Sequence, residues 1–341
     1  MRARDVLLIL LVVVAWGANF TVIELGLPGI PPLVFLAMRF VLVAFPAVLL
    51  LPRPRMPWRH VLAIGALLSL GQFAFLYLAI DLGMPAGLAS LVAQAQVVVT
   101  VVFSSVALRE RPTARQLLGI GVGLAGLALV AVGRGLVAPV VPLLVTLLAA
   151  TSWGVGNVVS RHASSVAAAQ PAGRLRPARH PAIEALSLVV WSALVVPVPA
   201  LGLSLAIDGP DRVLAAVTGL GPAAILSTLY TVVLASFVGY GVWNAMLARY
   251  PAPSVAPFTL LVPIAGIAVA WLALGEAPTP VELLGGAIMV AGLAIAVVRR
   301  ARPVAVAGAG SAPPQEPVDL PDPEPDDIGP NADPGRLASG A

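Results

Sequence analysis

Arg39 is the residue whose type and position first suggest chemistry, since it is the only arginine deep inside an apolar segment. A charged side chain at the centre of a membrane helix costs about 2.5–3.5 kcal/mol on insertion scales, so it must face a polar or wet interior. Its planar guanidinium group matches a carboxylate, which makes Arg39 a candidate docking point for a substrate carboxylate. A structural role, as the partner of Glu24 or of carbonyl groups at a helix end, is equally open.

Two faces that combine an aromatic ring with an amide are the next candidates. Trp16 and Asn19 are three residues apart in one apolar segment, and Trp153 and Asn157 are four apart in another. Residues at these spacings share a helix face. The pattern predicts the walls of an internal cavity, although hydrogen bonding between packed helices would produce the same pattern.

Two further polar faces complete the candidate site. Gln96, Thr100 and Ser104 are spaced at four-residue intervals, and Tyr240 and Trp243 share a face of a later segment. Aromatic residues also gather where helices cross the membrane surface, which is the alternative for the last two. The predicted substrate-binding residues are therefore Trp16, Asn19, Arg39, Gln96, Trp153, Asn157, Tyr240 and Trp243.

Composition argues against several classes of function. The chain has no cysteine, and all 20 of its basic residues are arginines. Thiolate metal sites, cysteine nucleophiles, Walker A loops and lysine Schiff bases are therefore excluded. The three histidines (His60, His162 and His180) fall in predicted loops, and no pair of carboxylates falls in mid-membrane. We predict no catalytic residue, no metal site and no cofactor, and hence not an enzyme.

The elements that must position these residues are membrane helices. The chain is 59% hydrophobic and only 11% charged, with a mean hydropathy of +0.97. Apolar runs of about 20 residues are typical of transmembrane helices. We predict an all-α membrane protein with ten transmembrane helices, at roughly 6–24, 32–51, 61–80, 86–107, 116–133, 139–160, 184–206, 222–247, 254–274 and 282–298.

The arginines predict the topology. With the N-terminus in the cytoplasm, sixteen arginines fall in cytoplasmic stretches and only Arg134 and Arg212 fall outside. This positive-inside bias places both termini in the cytoplasm, and it also explains the basic pI without nucleic-acid binding. A lipid bilayer is the expected partner, with localisation in the plasma membrane.

An internal repeat divides the chain. Residues 110–119 recur as 276–285, 166 positions later, with Glu, Pro, Thr, Leu, Leu and Gly in common. Because each repeat holds an odd number of helices, the second must be inverted relative to the first, as in many secondary transporters. We predict two five-helix repeats, 1–135 and 136–301. Glycines in the fifth and tenth helices predict close packing, within the protein or between protomers, so an oligomer is possible.

Two stretches have the composition of linkers or tails. Residues 161–183 are rich in Arg, Ser, Ala and Pro and predict a cytoplasmic linker between the repeats. Residues 302–341 are an acidic, proline-rich stretch with almost no large apolar side chains, and they predict a disordered cytoplasmic tail. The tail is either a solvated extension or a docking segment for a partner.

The motifs resemble those of the EamA-type transporters of the drug/metabolite transporter superfamily. Within that family, Val14–Phe20, Arg39–Pro46, Gly83–Val92 and Val238–Trp243 look like bacterial exporters of O-acetylserine and cysteine. One departure is that those exporters have a lysine where Glu24 stands here.

The resemblance implies a secondary transporter in the bacterial inner membrane that exports small amino-acid metabolites by alternating access. It also implies coupling to an ion gradient, of protons or of another ion. The alternatives are transport of a different amino acid, metabolite or drug, in either direction, and a membrane sensor that transports nothing.

Overall fold

The structure, a computed structural model, describes residues 1–109, 111–133, 140–168 and 181–297. The predicted tail at 302–341 and the middle of the predicted linker lie outside these ranges. All regular secondary structure in the described ranges is helical, which confirms the predicted all-α class.

Eight helical spans are long and apolar enough to cross a membrane. Two further apolar helices, α5 (Ala114–Gly133) and α10 (Pro280–Val297), have shorter apolar stretches. A short helix, Pro210–Thr218, connects α7 to α8. The eight spans are α1 (Ala3–Gly26), α2 (Pro32–Leu50), α3 (Trp58–Asp81), α4 (Ala86–Ala107), α6 (Val140–Ala168), α7 (Ile183–Asp208), α8 (Pro222–Arg249) and α9 (Pro257–Leu274).

The end of α6 corrects one predicted boundary. The sequence placed a linker from residue 161, but the helix continues to Ala168. Alanine is a strong helix former, and the hydroxyl groups of Ser164 and Ser165 donate to carbonyl oxygens of the preceding turn instead of breaking it. The helix therefore extends beyond the apolar stretch into the polar one.

Four of the spans depart from α-helical geometry at matching places. Gly65–Gly71 of α3 and Thr231–Val238 of α8 are π-helical. Ala93–Ala95 of α4 and Ala256–Leu261 at the start of α9 are 3₁₀-helical. Both matches follow the 166-residue offset of the sequence repeat. Such stretches are rare in helix interiors and are frequent at functional sites.

The helices α5 and α10 pack antiparallel along a glycine seam. A Cβ atom added at Gly119 would lie 2.5 Å from the carbonyl oxygen of Gly292, and one at Gly126 would lie 2.6 Å from that of Gly285. The reverse contacts are equally close, since Cβ atoms at Gly285 and Gly292 would lie 2.8 and 2.7 Å from the oxygens of Gly126 and Gly119. The predicted close packing is therefore present within one chain.

The helix α1 packs against α8 and α9. A Cβ atom at Gly17 would lie 2.8 Å from the carbonyl oxygen of Val262 in α9, so only glycine permits this approach. The same arrangement recurs between α6 and α4, where a Cβ atom at Gly154 would lie 2.8 Å from the carbonyl oxygen of Gln96. Each tryptophan–glycine motif thus fits its helix closely against another.

Two glutamates connect these helices at the ends that the predicted topology places on the outer side of the membrane. Glu276, in the turn after α9, accepts hydrogen bonds from the backbone N–H groups of Ala86 and Gly87 at 3.2 and 3.1 Å. Glu24 of α1 accepts from the same Ala86 N–H at 3.0 Å. These backbone groups begin α4 and have no partner within the helix. The repeated glutamate therefore connects a turn of the second half to a helix of the first.

The glycine seam makes a testable prediction. Gly126→Ala should lower the free energy of unfolding by about 1–3 kcal/mol, because the new methyl group meets backbone atoms that cannot turn aside. Gly121→Ala, in the same helix, should be neutral or stabilising by up to about 1 kcal/mol, because its Cβ atom would meet nothing within 4 Å. Thermal unfolding of the two variants in one detergent measures the difference. Equal shifts of the unfolding midpoint in the two variants would show that the seam is not close-packed.

Candidate functional site

Arg39 lies inside the helical bundle and is 2% exposed. Its Nη1 group donates to the hydroxyl oxygen of Tyr77 in α3 at 3.4 Å, and its Nη2 group donates to the hydroxyl oxygen of Ser236 in α8 at 3.2 Å. The guanidinium carbon lies 4.2 Å from the centre of the Phe73 ring and 5.4 Å from that of Phe40. Ring faces and hydroxyl groups stabilise the cation, but they leave its charge unneutralised.

The hydrogen-bonding capacity of Arg39 is only partly used. A guanidinium group has five N–H donors, and the Nε of Arg39 has no partner among the described residues. In that part of the chain no carboxylate forms an ion pair with Arg39. Glu24, the structural alternative considered above, is engaged by Ala86 instead. Burying a cation without a counter-charge is costly, so Arg39 stands out among the described residues.

The π-helical stretch of α8 positions the partner of Arg39. The hydroxyl group of Ser236 donates to the carbonyl oxygen of Thr231, five residues earlier, at 2.8 Å while it accepts from Arg39. In a regular α-helix, residues five apart point in different directions. Sequence reasoning based on 3.6-residue periodicity therefore missed Ser236, and no simpler signal in the sequence identifies it.

Trp16 contacts the same stretch from α1. Its indole N–H donates to the carbonyl oxygen of Ala235 at 2.9 Å. Its ring lies 5.4 Å from that of Tyr240 and 5.3 Å from that of Trp243. The structure therefore brings three half-buried predicted site residues together beside the partner of Arg39. For Tyr240 and Trp243, these ring contacts favour an internal role over a membrane-interface belt.

Asn19 is buried with an unused acceptor. The side chain is 6% exposed, and its Oδ1 has no hydrogen-bond partner in the described residues. By helical periodicity it shares a face with Ala15 and Val22, whose carbonyl oxygens accept hydrogen bonds from Tyr230 and Ser227 of α8. Asn19 thus faces the helix that carries Ser236, and its carbonyl group is free to accept a hydrogen bond.

The remaining predicted residues form a second group, between α4 and α6. The Nδ2 group of Asn157 donates to the Oε1 of Gln96 at 2.9 Å, and the Thr100 hydroxyl group donates to the backbone oxygen of Gln96 at 2.7 Å. Trp153 packs against the main apolar core. Within the described ranges, no recorded hydrogen bond or ring contact joins this group to Arg39 or Trp16. The amide groups of Asn157 and Gln96 thus form a hydrogen bond between the two helices.

Two further residues contribute to this interior although they are not among the predicted site residues. Tyr77 is fully buried, and its hydroxyl oxygen accepts a hydrogen bond from Arg39. The carboxylate of Glu276 accepts hydrogen bonds from the backbone at the start of α4. The signal for Glu276 was present, because the repeated glutamate precedes a conserved spacing of proline and threonine in both copies.

Comparisons with known proteins identify the family of this chain. Residues 4–132 and 141–298 match the model of the EamA-like transporter family. The chain is 41% identical over 300 residues to a protein described as a "probable amino-acid metabolite efflux pump" in Salmonella typhimurium, and to one so described in Escherichia coli. Each alignment covers 87% of this chain and 96% of the relative.

More distant relatives extend the comparison. A "probable terminal-alkyne amino-acid exporter" of Streptantibioticus cattleyicolor is 28% identical over 298 residues, which is 85% of this chain and 92% of that protein. A solved crystal structure has a TM-score of 0.55 at 20% identity and covers 88% of this chain and 100% of its own, a likeness of fold alone. The family match and the 41% identity show that this chain, a multi-pass protein of the bacterial inner membrane, belongs to the EamA-like transporter family.

Proposed function

We propose that this protein is a secondary active transporter that exports small amino-acid metabolites, of the cysteine and O-acetylserine type, by alternating access. Two relatives at 41% identity are described as efflux pumps for amino-acid metabolites, and a third as an exporter of an amino acid. These descriptions apply to the relatives, and the interior of this chain supplies an independent physical reason for the same class of substrate.

The observation that carries the proposal is the buried guanidinium group of Arg39. Every α-amino acid carries a carboxylate, which would neutralise this charge and use the donors that now lack partners. The 2% exposure of Arg39 means that the substrate reaches it only after the helices rearrange. Alternating access is such a rearrangement.

The other predicted site residues have proposed roles around this carboxylate. The Oδ1 of Asn19 is a free acceptor for the substrate ammonium group. Trp16, Tyr240 and Trp243 form an aromatic wall beside the site. Gln96, Trp153 and Asn157 belong to the second group, between α4 and α6, and we propose that they line the site in the conformation that opens on their side.

We further propose that ten helices form two inverted repeats, 1–135 and 136–301, with both termini in the cytoplasm. The antiparallel seam of α5 and α10 supports this arrangement. Gly119 and Gly126 correspond to Gly285 and Gly292 under the 166-residue offset, so the contact of Gly119 with Gly292 is equivalent to the contact of Gly285 with Gly126. The paired π-helical and 3₁₀-helical stretches support it in the same way. Non-α stretches at matching depths provide hinge points for a movement that one half makes relative to the other.

A flux assay tests the transport proposal. Vesicles containing the purified protein should release labelled O-acetylserine and cysteine faster than empty vesicles. A pH gradient should change the rate if protons are the coupled ion, and a sodium gradient should do so if sodium is. If neither compound moves faster than in empty vesicles, the proposed substrate class is wrong.

The role of Arg39 makes a sharper prediction. Arg39→Gln should lower the transport of O-acetylserine about tenfold or more, because a hydrogen bond to a charged group contributes about 1.5–3 kcal/mol. Transport of the corresponding amide, which has no carboxylate, should change far less. Initial flux rates for the acid and the amide measure the two effects.

Arg212→Gln is the matched control, because Arg212 is an exposed arginine paired with Asp208 at 3.7 Å. This variant should transport both compounds as the original chain does. If Arg39→Gln lowers the transport of acid and amide equally, Arg39 stabilises the fold and does not bind the carboxylate.

A further inference from the structure

A cleft opens between the first turns of α1 and the last turns of α8. It has a volume of about 320 Å³, and its mouth holds Arg2, Arg4 and Arg249 around one carboxylate, that of Asp5. Its deeper wall is apolar and is formed by Leu8, Val242, Ala245 and Met246. By the predicted topology the cleft faces the cytoplasm, from which an exported substrate must enter.

Asp5 is buried in this cleft although its neighbours are exposed. The residue is 5% exposed, and its Oδ2 accepts a hydrogen bond from the hydroxyl group of Tyr250 at 2.7 Å. The Nη1 of Arg249 lies 3.6 Å from its Oδ1. The Asp5 carboxylate of α1 therefore binds Arg249 and Tyr250 at the end of α8. This contact holds α1 against α8.

Packed side chains connect the cleft to the surroundings of Arg39. Its wall residues Leu8, Val242 and Met246 belong to an apolar cluster that includes Trp16 and Trp243. The indole N–H of Trp16 in turn contacts Ala235, the neighbour of the serine that binds Arg39. Gly241 also lines the cleft, and a Cβ atom there would meet nothing within 4 Å. An unbroken line of contacts thus connects the cleft to the buried arginine.

We propose that this cleft is the cytoplasmic entry subsite for the substrate carboxylate and that Asp5 closes it by occupying the same donors. The inference rests on the proposed function, because it assigns the route by which the exported compound enters. A substrate carboxylate that replaces Asp5 gives Arg249 and Tyr250 a new acceptor, and the Asp5 carboxylate must then turn to the solvent at the mouth of the cleft. A solute without a carboxylate cannot make this exchange, and three guanidinium groups draw anions to the mouth.

Thiol labelling tests the proposal without any transport step. Because the chain has no cysteine, Gly241→Cys places a single thiol in the cleft. In inside-out vesicles of phosphatidylcholine, the anionic reagent 2-sulfonatoethyl methanethiosulfonate should react about tenfold faster than the cationic 2-(trimethylammonium)ethyl reagent. O-acetylserine should slow the anionic reaction, and its amide should not. Ala245→Cys repeats the measurement if Gly241→Cys does not fold.

Two variants should change this preference in opposite directions. Arg249→Gln should reduce the rate of reaction with the anionic reagent, because it removes a cation from the cleft. Asp5→Asn should increase the rate of reaction with the anionic reagent, because it removes the negative charge beside Arg249 and Tyr250. Ser164→Cys, at the exposed end of α6, is the control thiol, and neither variant should change its labelling rates.

Several results would overturn the proposal. Equal rates for the two reagents, or equal protection by the acid and the amide, would show that the cleft does not select carboxylates. Phosphatidylglycerol in the vesicles should leave the labelling unchanged, and protection by this lipid would identify the ligand as a lipid headgroup instead. If O-acetylserine is transported but does not protect the thiol better than its amide, only the proposed subsite is refuted. If O-acetylserine protects the thiol but is not transported, only the transport proposal is refuted.

Discussion

The need to stabilise one buried guanidinium group explains much of the interior. Arg39 sits at membrane depth, where a cation without polar neighbours would not be tolerated. Its surroundings come from three helices: the ring faces of Phe40 and Phe73, the hydroxyl group of Tyr77, and the hydroxyl group of Ser236. The last of these depends on the π-helical stretch of α8. The surroundings hold the side chain in place and leave its positive charge unneutralised, and for this reason we propose a carboxylate as its ligand.

The π-helical stretch of α8 also contacts α1, which runs from one face of the protein to the other. Trp16 bonds the backbone of the stretch, Gly17 lets α1 lie against α9, Glu24 meets the start of α4, and Asp5 meets the end of α8. A helix fastened at both ends and in the middle cannot move at one place without altering the others. In the proposed mechanism, opening at either face would act through α1 on the surroundings of Arg39.

Sequence patterns predicted the all-helical class and the eight long apolar spans, because the membrane imposes the length and apolar character of such helices. The polar residues Arg39, Trp16 and Tyr240 were also recognisable, since each stands out in an apolar segment. Ser236 was not, because its direction depends on a π-helical turn that breaks the 3.6-residue period. Nor did the sequence predict that Gln96 and Asn157 bond each other, because spacing within one helix carries no information about which helix lies opposite.

Ligand-dependent thermal stability tests the central claim, that Arg39 is held ready for a carboxylate. A ligand that binds only the folded protein raises its midpoint of unfolding by an amount set by the ratio of ligand concentration to Kd. In detergent, O-acetylserine should raise the midpoint of the unmodified chain by several degrees, and its amide should raise it little. Arg39→Gln should abolish the difference. Equal stabilisation by acid and amide in the unmodified chain would contradict the account.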